Sequence, residues 1–238
     1  MIKIENFEVL GWEHAIRGMR NPMNSWENSD SVFIDEDGDW YTITGDSAPF
    51  KNVDEFSTDG QQVYIGPNDL DLMKHLCNAG TDHRKFMRMI TVYLDITAPL
   101  YFWKEFDTYR VGVEKNSCST MHKIHAKEFD VNDFSHEHVE ELTGDDYNMS
   151  YDFLLRTIDI LNYYRKKFLE TKDKKYWWQM IQLLPSSYNQ KRTVMLNYEV
   201  LANIYKSRRH HKLDCWHTLC DFIEELPYSE LITGEEYE

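Results

Sequence analysis

Between residues 86 and 97, Arg88, Ile90, Val92, Leu94 and Ile96 alternate with Met87, Met89, Thr91, Tyr93 and Asp95. This period of two predicts a long strand with one strongly apolar face, suited to the centre of a sheet. Residues 4–10 read as a shorter strand, and 13–20 carry Ala15, Ile16 and Met19 at helical spacing. Two apolar runs, 31–34 and 40–44, flank an acidic turn with Asp37-Gly38 and predict a hairpin. The loop-rich stretch that follows, up to Gly66-Pro67, reads as surface decoration. Asn68 is placed to cap a helix over 69–77, with Leu70, Met73, Leu76 and Cys77 spaced for burial. Pro99 suits a first helical residue, so 100–106 predicts a helix, and 131–148 is acidic and irregular. Four helices close the chain: 151–170 with Leu154, Ile158, Leu161 and Phe168 on one face, 174–184 ended by Pro185, 194–208, and 213–225 before Pro227. No internal repeat or low-complexity segment interrupts this order.

The 238 residues suffice for one core, so a single domain is expected over 1–238. A hydrophobic fraction of 42% with 14% aromatics sets the chain far from disordered sequences. The net charge of -15 argues against a sequence-independent grip on nucleic-acid polymers or anionic membranes, so a phosphate ligand needs a local grip. The first residues lack the pattern of a signal peptide and no window is long and apolar enough to span a membrane. Cys77, Cys118, Cys215 and Cys220 show no disulfide-scaffold spacing, so reduced thiols in the cytoplasm are expected.

Within 194–208, helical periodicity at 100° per residue places Asn197, Leu201, Ile204 and Arg208 on one stripe. Such a polar-ended stripe reads either as an amide and a guanidinium aimed at a flat anion or carbonyl pair, or as a capping Asn and a helix-end Arg favoured by the dipole. The run 109–122 is small and polar: a solvated loop, or a phosphate cradle with Arg110 or Lys115 supplying charge. His122 and His125, His136 and His138, and His210 and His211 form no standard zinc set with the cysteines. Cys215 and His217 stand two apart and point in different directions on a helix, so no nucleophile pair is read there, and Cys215 is expected to be partly buried and inert. Trp177, Trp178, Tyr163 and Tyr164 read as packing residues.

In order along most of the chain, these features resemble the flavin-dependent thymidylate synthases. The late signature of that family is Leu-Pro, an Asn twelve residues on, then Leu, Asn and Arg at further steps of four, two and five. Here it reads Leu184-Pro185, Asn197, Leu201, Asn203 and Arg208. Ala15-Ile16-Arg17-Gly18-Met19-Arg20 stands for the A-x-R-A-A-R-like helix, Asp82-His83-Arg84-Lys85 for the G-H-E-T-like loop, and Ala98-Pro99 ends the long strand as in the family. The main motif, R-H-R-x-x-S-x-N-E-x-S-x-R, is kept in part: Arg110, Asn116 and Ser119 remain, and the first Arg, the His, the Glu and the last Arg do not.

The resemblance implies an α+β fold, a mixed sheet with a C-terminal set of helices, assembled as a homotetramer with FAD at subunit interfaces. It implies transfer of a one-carbon unit from methylenetetrahydrofolate to the uracil of dUMP, or a related pyrimidine nucleotide, with NADPH reducing the flavin and no attacking protein cysteine. By position, His83, Arg110, Asn197 and Asn203 would face the flavin; Asn116, Ser119 and Arg208 would face the nucleotide, with Arg208 also catalytic. Family members carry substrate-gripping arginines where this chain has Met121 and Ile181; Lys115, His122, Lys123 and Arg209 are the cations that could substitute. Residues 31–65 look like a hairpin insertion relative to typical members. A catalytically silent relative that binds a nucleotide or a partner protein is the alternative reading.

Overall fold

The computed structural model describes residues 2–35, 37–48, 57–58, 61–140 and 149–234. It shows an α+β fold. Strands β1 (Lys3–Leu10), β6 (Thr91–Pro99), β8 (Asn189–Asn197) and β7 (Glu114–Ser117) form one four-stranded sheet in the order β1-β6-β8-β7. A second sheet, ordered β3-β2-β5-β4, joins β2 (Val32–Ile34), β3 (Trp40–Thr42), β4 (Ser57–Thr58) and β5 (Gln61–Tyr64). All three of its pairings are antiparallel, with Phe33 opposite both Tyr41 and Val63. The hairpin expected at 31–44 is therefore half of a small sheet; residues 49–56 and 59–60 of the expected decoration lie outside the described residues.

In β6 the predicted alternation holds, with Val92, Leu94 and Ile96 buried and Tyr93 exposed. The strand starts at Thr91 because the neighbours Phe86 and Met87 are both buried, which a two-residue period forbids; 85–88 forms a 3-10 turn instead. Strand β8 was not expected from the sequence: Asn189, Lys191, Arg192 and Thr193 hide the period that buries Gln190, Val194 and Leu196. It replaces the first turn of the helix expected at 194–208, so that helix, α7, runs Tyr198–Arg208. Strand β7 falls within the run read as a loop or phosphate cradle.

By its internal contacts the chain divides into two compact units. Unit 1 comprises Met1–Lys3, Ile96–Thr108 and Asn116–Thr193; unit 2 comprises Ile4–Asp95, Tyr109–Lys115 and Val194–Glu238.

Unit 1 is built around the long α5 (Met149–Thr171) and the adjoining α6 (Lys174–Leu183), with α4 (Glu137–Glu140) beside α5. Leu154, Ile158 and Leu161 of α5 and Met180 of α6 form a core with Ile124, Phe129 and Phe134. Asn162 ties this core to the chain around Phe129, donating to its carbonyl at 2.8 Å and accepting from its N–H at 2.9 Å. In α3 (Leu100–Phe106), Trp103 donates through Nε1 to the Gln190 carbonyl at 2.9 Å, and the Arg192 guanidinium stands 4.3 Å from its ring.

In unit 2, α1 (Trp12–Arg20) buries Trp12, Ala15, Ile16, Met19 and Arg20. It starts at Gly11, whose φ of +94° and close approach to the Met89 carbonyl leave no room for a Cβ. Helix α7 packs on α8 (Asp214–Glu224), on α9 (Glu230–Thr233) and on the 85–88 turn. Trp12 meets Tyr198 and Tyr228 edge-on at 5.3 and 5.2 Å. Helix α2 (Pro67–Asn78) opens on proline, and Asn68 is not its cap. The Asp30 carboxylate caps it instead, accepting from the Asn68 N–H at 2.8 Å and the Asp69 N–H at 3.0 Å. No helix among the described residues is long and apolar enough to cross a membrane.

Candidate functional site

Asn197, Leu201, Asn203 and Arg208 of the late signature lie in unit 2, and its Leu184-Pro185 lies in unit 1. Asn197, the last residue of β8, has extended backbone angles of -128° and 168° and accepts from the Val200 N–H at 3.1 Å. It is the N-cap of α7 and not a member of the helical stripe. Gly112, at φ +71°, passes so close that a Cβ there would sit 2.9 Å from Asn197 Nδ2 and 3.3 Å from Val200 Cγ2. The 109–115 segment is thereby held against the start of α7. Leu201 and Ile204 are buried on the helix, Arg208 is half-buried at its end, and Asn203 is exposed.

Arg208 has a more specific setting than a helix-end cation. Its Nε donates to the Tyr109 hydroxyl at 3.1 Å, and its guanidinium lies 4.6 Å from the Trp216 ring and 5.7 Å from the Tyr109 ring. The two rings are themselves packed edge-on at 6.0 Å. Hydrogen bonding at one nitrogen and two aromatic walls fix the plane of the fork, which suits guanidinium and not ammonium. Lys115 secures the same segment by donating from Nζ to the Tyr109 carbonyl at 3.1 Å. Arg110 is exposed beside it. Tyr109 and Trp216 were not singled out from the sequence, because the two are far apart in the chain and neither carries a charge.

His83 is exposed in the wall of a cavity of about 1000 Å³ in unit 2, together with Lys85, Asn68 and the apolar Met19, Met23, Leu72 and Phe86. The residue after it, Arg84, reaches Glu199 in the first turn of α7, with Nε 2.9 Å from Oε2 and Nη2 donating to Oε1 at 3.2 Å. This ion pair, with one hydrogen bond from Nη2, joins the His83 loop to the helix that Asn197 caps. Glu199 is buried. The Arg84→Glu and Glu199→Arg single variants are each expected to lose about 2–4 kcal/mol in urea unfolding, since each sets like charges in contact, and the double exchange should recover most of it. A double variant no more stable than the worse single would show that the pair does not join these elements.

Asn116 and Ser119 belong to unit 1. Asn116 is exposed in β7, and the Ser119 hydroxyl accepts from the N–H groups of Met121 and His122 at 3.2 and 3.0 Å, forming a local turn. Ile181 packs against the unit 1 core. Of the cations named as substitutes, Arg209 is paired with Asp221 and Glu224 at 2.5 and 3.2 Å, and Lys115 is held by Tyr109. His122 and Lys123 are exposed.

The cysteines supply no activated thiol in unit 2. Burial pushes the Cys77 thiol up to about 12 and that of Cys220 up to about 11, and Cys215 is buried. His217 bonds through Nε2 to the His211 carbonyl at 2.6 Å. Among the described residues no group of three His, Cys, Asp or Glu is placed to hold a metal ion.

No family model and no curated protein sequence matches this chain. Solved structures do. A flavin-dependent thymidylate synthase ThyX from Helicobacter pylori, complexed with FAD and dUMP, superposes with a TM-score of 0.62 at 16% identity, over 98% of both chains. A second structure of ThyX from the same organism, with FAD and dUMP, gives 0.60 at 14% identity and the same coverage. A UMP/dUMP methylase PolB from Streptomyces cacaoi, bound with 5-Br dUMP, gives 0.50 at 12% identity over 86% of this chain and 76% of that one. The α+β fold of this chain is that of the flavin-dependent thymidylate synthase structures.

Proposed function

We propose that the chain binds FAD and a pyrimidine nucleotide and carries out reductive one-carbon transfer to the uracil of dUMP or a close relative. The observation that carries this reading is Arg208: its fork is held in one plane by Tyr109 and Trp216, at the position where the sequence signature places the nucleotide-facing arginine. The shared fold with structures that hold FAD and dUMP supports it.

The unit 2 cavity offers a flavin an apolar wall and two basic groups, beside the carboxylates Glu27, Asp30 and Asp82, of which Asp30 is engaged by the first amides of α2. The unit 2 cavity joins an apolar wall for a ring system to the imidazole of His83 and the ammonium of Lys85, and its volume of about 1000 Å³ is at the upper end of small-molecule sites. His83 and Lys85 would hold the cofactor there, with Arg110 and Asn203 as further exposed donors and Asn197 keeping α7 in place through its cap. FAD, reduced by NADPH, would supply the hydride that completes the methyl group, with methylenetetrahydrofolate as carbon donor. Arg208 would bind the base carbonyl region and stabilise negative charge developing on the ring. The raised thiols of Cys77 and Cys220 stay protonated, so neither attacks the base. Asn116 and Ser119 would contact the nucleotide, and a homotetramer would complete sites at subunit interfaces.

Met121 and Ile181 carry no charge, so dUMP is expected to bind about 1.5–3 kcal/mol more weakly per missing arginine contact than in a site that has both. These two positions favour a second reading, a catalytically silent relative that keeps nucleotide or partner-protein binding. Visible spectroscopy of the purified protein, titration with FAD, and calorimetry against uracil and cytosine nucleotides separate the two. Flavin bands with nucleotide-dependent NADPH oxidation are expected; failure to saturate with FAD would sink the flavoenzyme. Nucleotide binding without turnover would favour the silent relative, and tight preferential dUMP binding would show that Met121 and Ile181 are compensated.

A further inference from the structure

Unit 1 has a cavity of its own, about 520 Å³, where the end of α5 and the start of α6 meet the segment 121–125. Its volume lies within the range of small-molecule sites. The wall is aromatic. Trp177 and Trp178 pack edge-on at 4.8 Å, and His125 meets Phe168 edge-on at 4.9 Å. Their backing is fixed: Trp177 Nε1 donates to the Met121 carbonyl at 3.1 Å, Arg165 Nε donates to the His125 carbonyl at 3.0 Å, and Phe168 and Trp177 rest on the unit 1 core. Trp178 is 48% exposed, a large ring that core packing does not use.

The polar groups of this cavity are all basic or imidazole: His122, His125 and Lys174, with no carboxylate in the described lining. In a chain with a net charge of -15 that is a local reversal of sign. His125 Nδ1 is buried and has no hydrogen-bond partner among the described residues.

We propose that this cavity is a binding site for a small aromatic anion, a planar ring bearing a phosphate or carboxylate. The ring stacks on Trp178 and Trp177, and the anionic group is met by Lys174 and the imidazoles of His122 and His125. The site lies wholly within unit 1 and does not depend on flavin binding in unit 2.

Phenyl phosphate is the probe, titrated into the full-length protein while tryptophan fluorescence and calorimetry are followed. It is expected to bind at least about tenfold more tightly than inorganic phosphate or benzyl alcohol, because it alone engages both the rings and the basic groups. Trp178→Ala and Lys174→Gln change exposed side chains, so both variants should melt as the parent does, and each is expected to weaken phenyl phosphate about tenfold. His125→Phe keeps the ring packing against Phe168 and should also weaken binding. Competition with dUMP identifies the source of the ligand: displacement points to a nucleotide, and no displacement to an aromatic acid of another kind. Binding no tighter than inorganic phosphate, or unchanged in both Trp178→Ala and Lys174→Gln, would overturn the proposal.

Discussion

Arg208→Lys is expected to leave the fold and any bound flavin in place while costing about 2–4 kcal/mol in nucleotide binding or turnover. The charge stays, but an ammonium cannot lie flat 4.6 Å from the Trp216 ring while donating in plane to the Tyr109 hydroxyl and presenting two parallel N–H groups to a carbonyl. The structural share of this loss, which includes the Tyr109 hydrogen bond and the contacts with the Trp216 and Tyr109 rings, would show in the melting temperature. Flavin content, melting temperature and nucleotide affinity measured on one variant therefore separate the two roles. Unchanged nucleotide affinity would remove Arg208 from the site.

Asp69→Ala is expected to remove about 3–5 kcal/mol of stability, a large part of the roughly 5–15 kcal/mol typical of a folded domain. The carboxylate is fully buried. It accepts from Arg20 Nε at 2.6 Å, from the hydroxyls of Ser29 and Ser31 at 2.5 and 2.6 Å, and from the Ser31 N–H at 3.2 Å. Alanine would leave the Arg20 guanidinium, itself almost completely buried, without its counter-charge, and the two hydroxyls without an acceptor. The network spans α1, the 29–31 segment and α2, which all border the unit 2 cavity, so the variant should also lose whatever binds there. Urea unfolding measures the first effect, and a loss below about 1 kcal/mol would show that the pair is dispensable. Asp69→Asn, which keeps the shape and one acceptor, should fall between the two.

The same side chains illustrate why a motif position does not disclose its use. Arg20 falls in the A-x-R-A-A-R-like helix, yet it is committed to Asp69, 49 residues away. Asn197 falls in the late signature and on a helical stripe by arithmetic, yet it ends a strand and caps the helix that follows. Ile181, where an arginine would serve the substrate, supports the core of unit 1. For Arg20 and Ile181 the partners that decide the role are distant in sequence, and local spacing carries no record of them; for Asn197 the role follows from where strand β8 ends.

What the sequence determined by itself is local. The two-residue period of Val92, Leu94 and Ile96 specified β6, the spacing of Leu154, Ile158 and Leu161 specified α5, and the Asp-Gly turn specified the β2–β3 hairpin. For these elements one face is apolar over its whole length, so burial and backbone geometry agree. Tertiary structure decided the rest. Strand β8 forms although Asn189, Lys191 and Arg192 favour no strand, because it lies between β6 and β7 and its backbone groups need those neighbours. The cap of α2 comes from Asp30, the plane of Arg208 from Tyr109 and Trp216, and the hold on the His83 loop from Arg84 and Glu199. Hydrogen bonds and ion pairs of this kind join residues that only the folded chain brings within 3 to 5 Å of each other, so no periodicity along the chain can announce them.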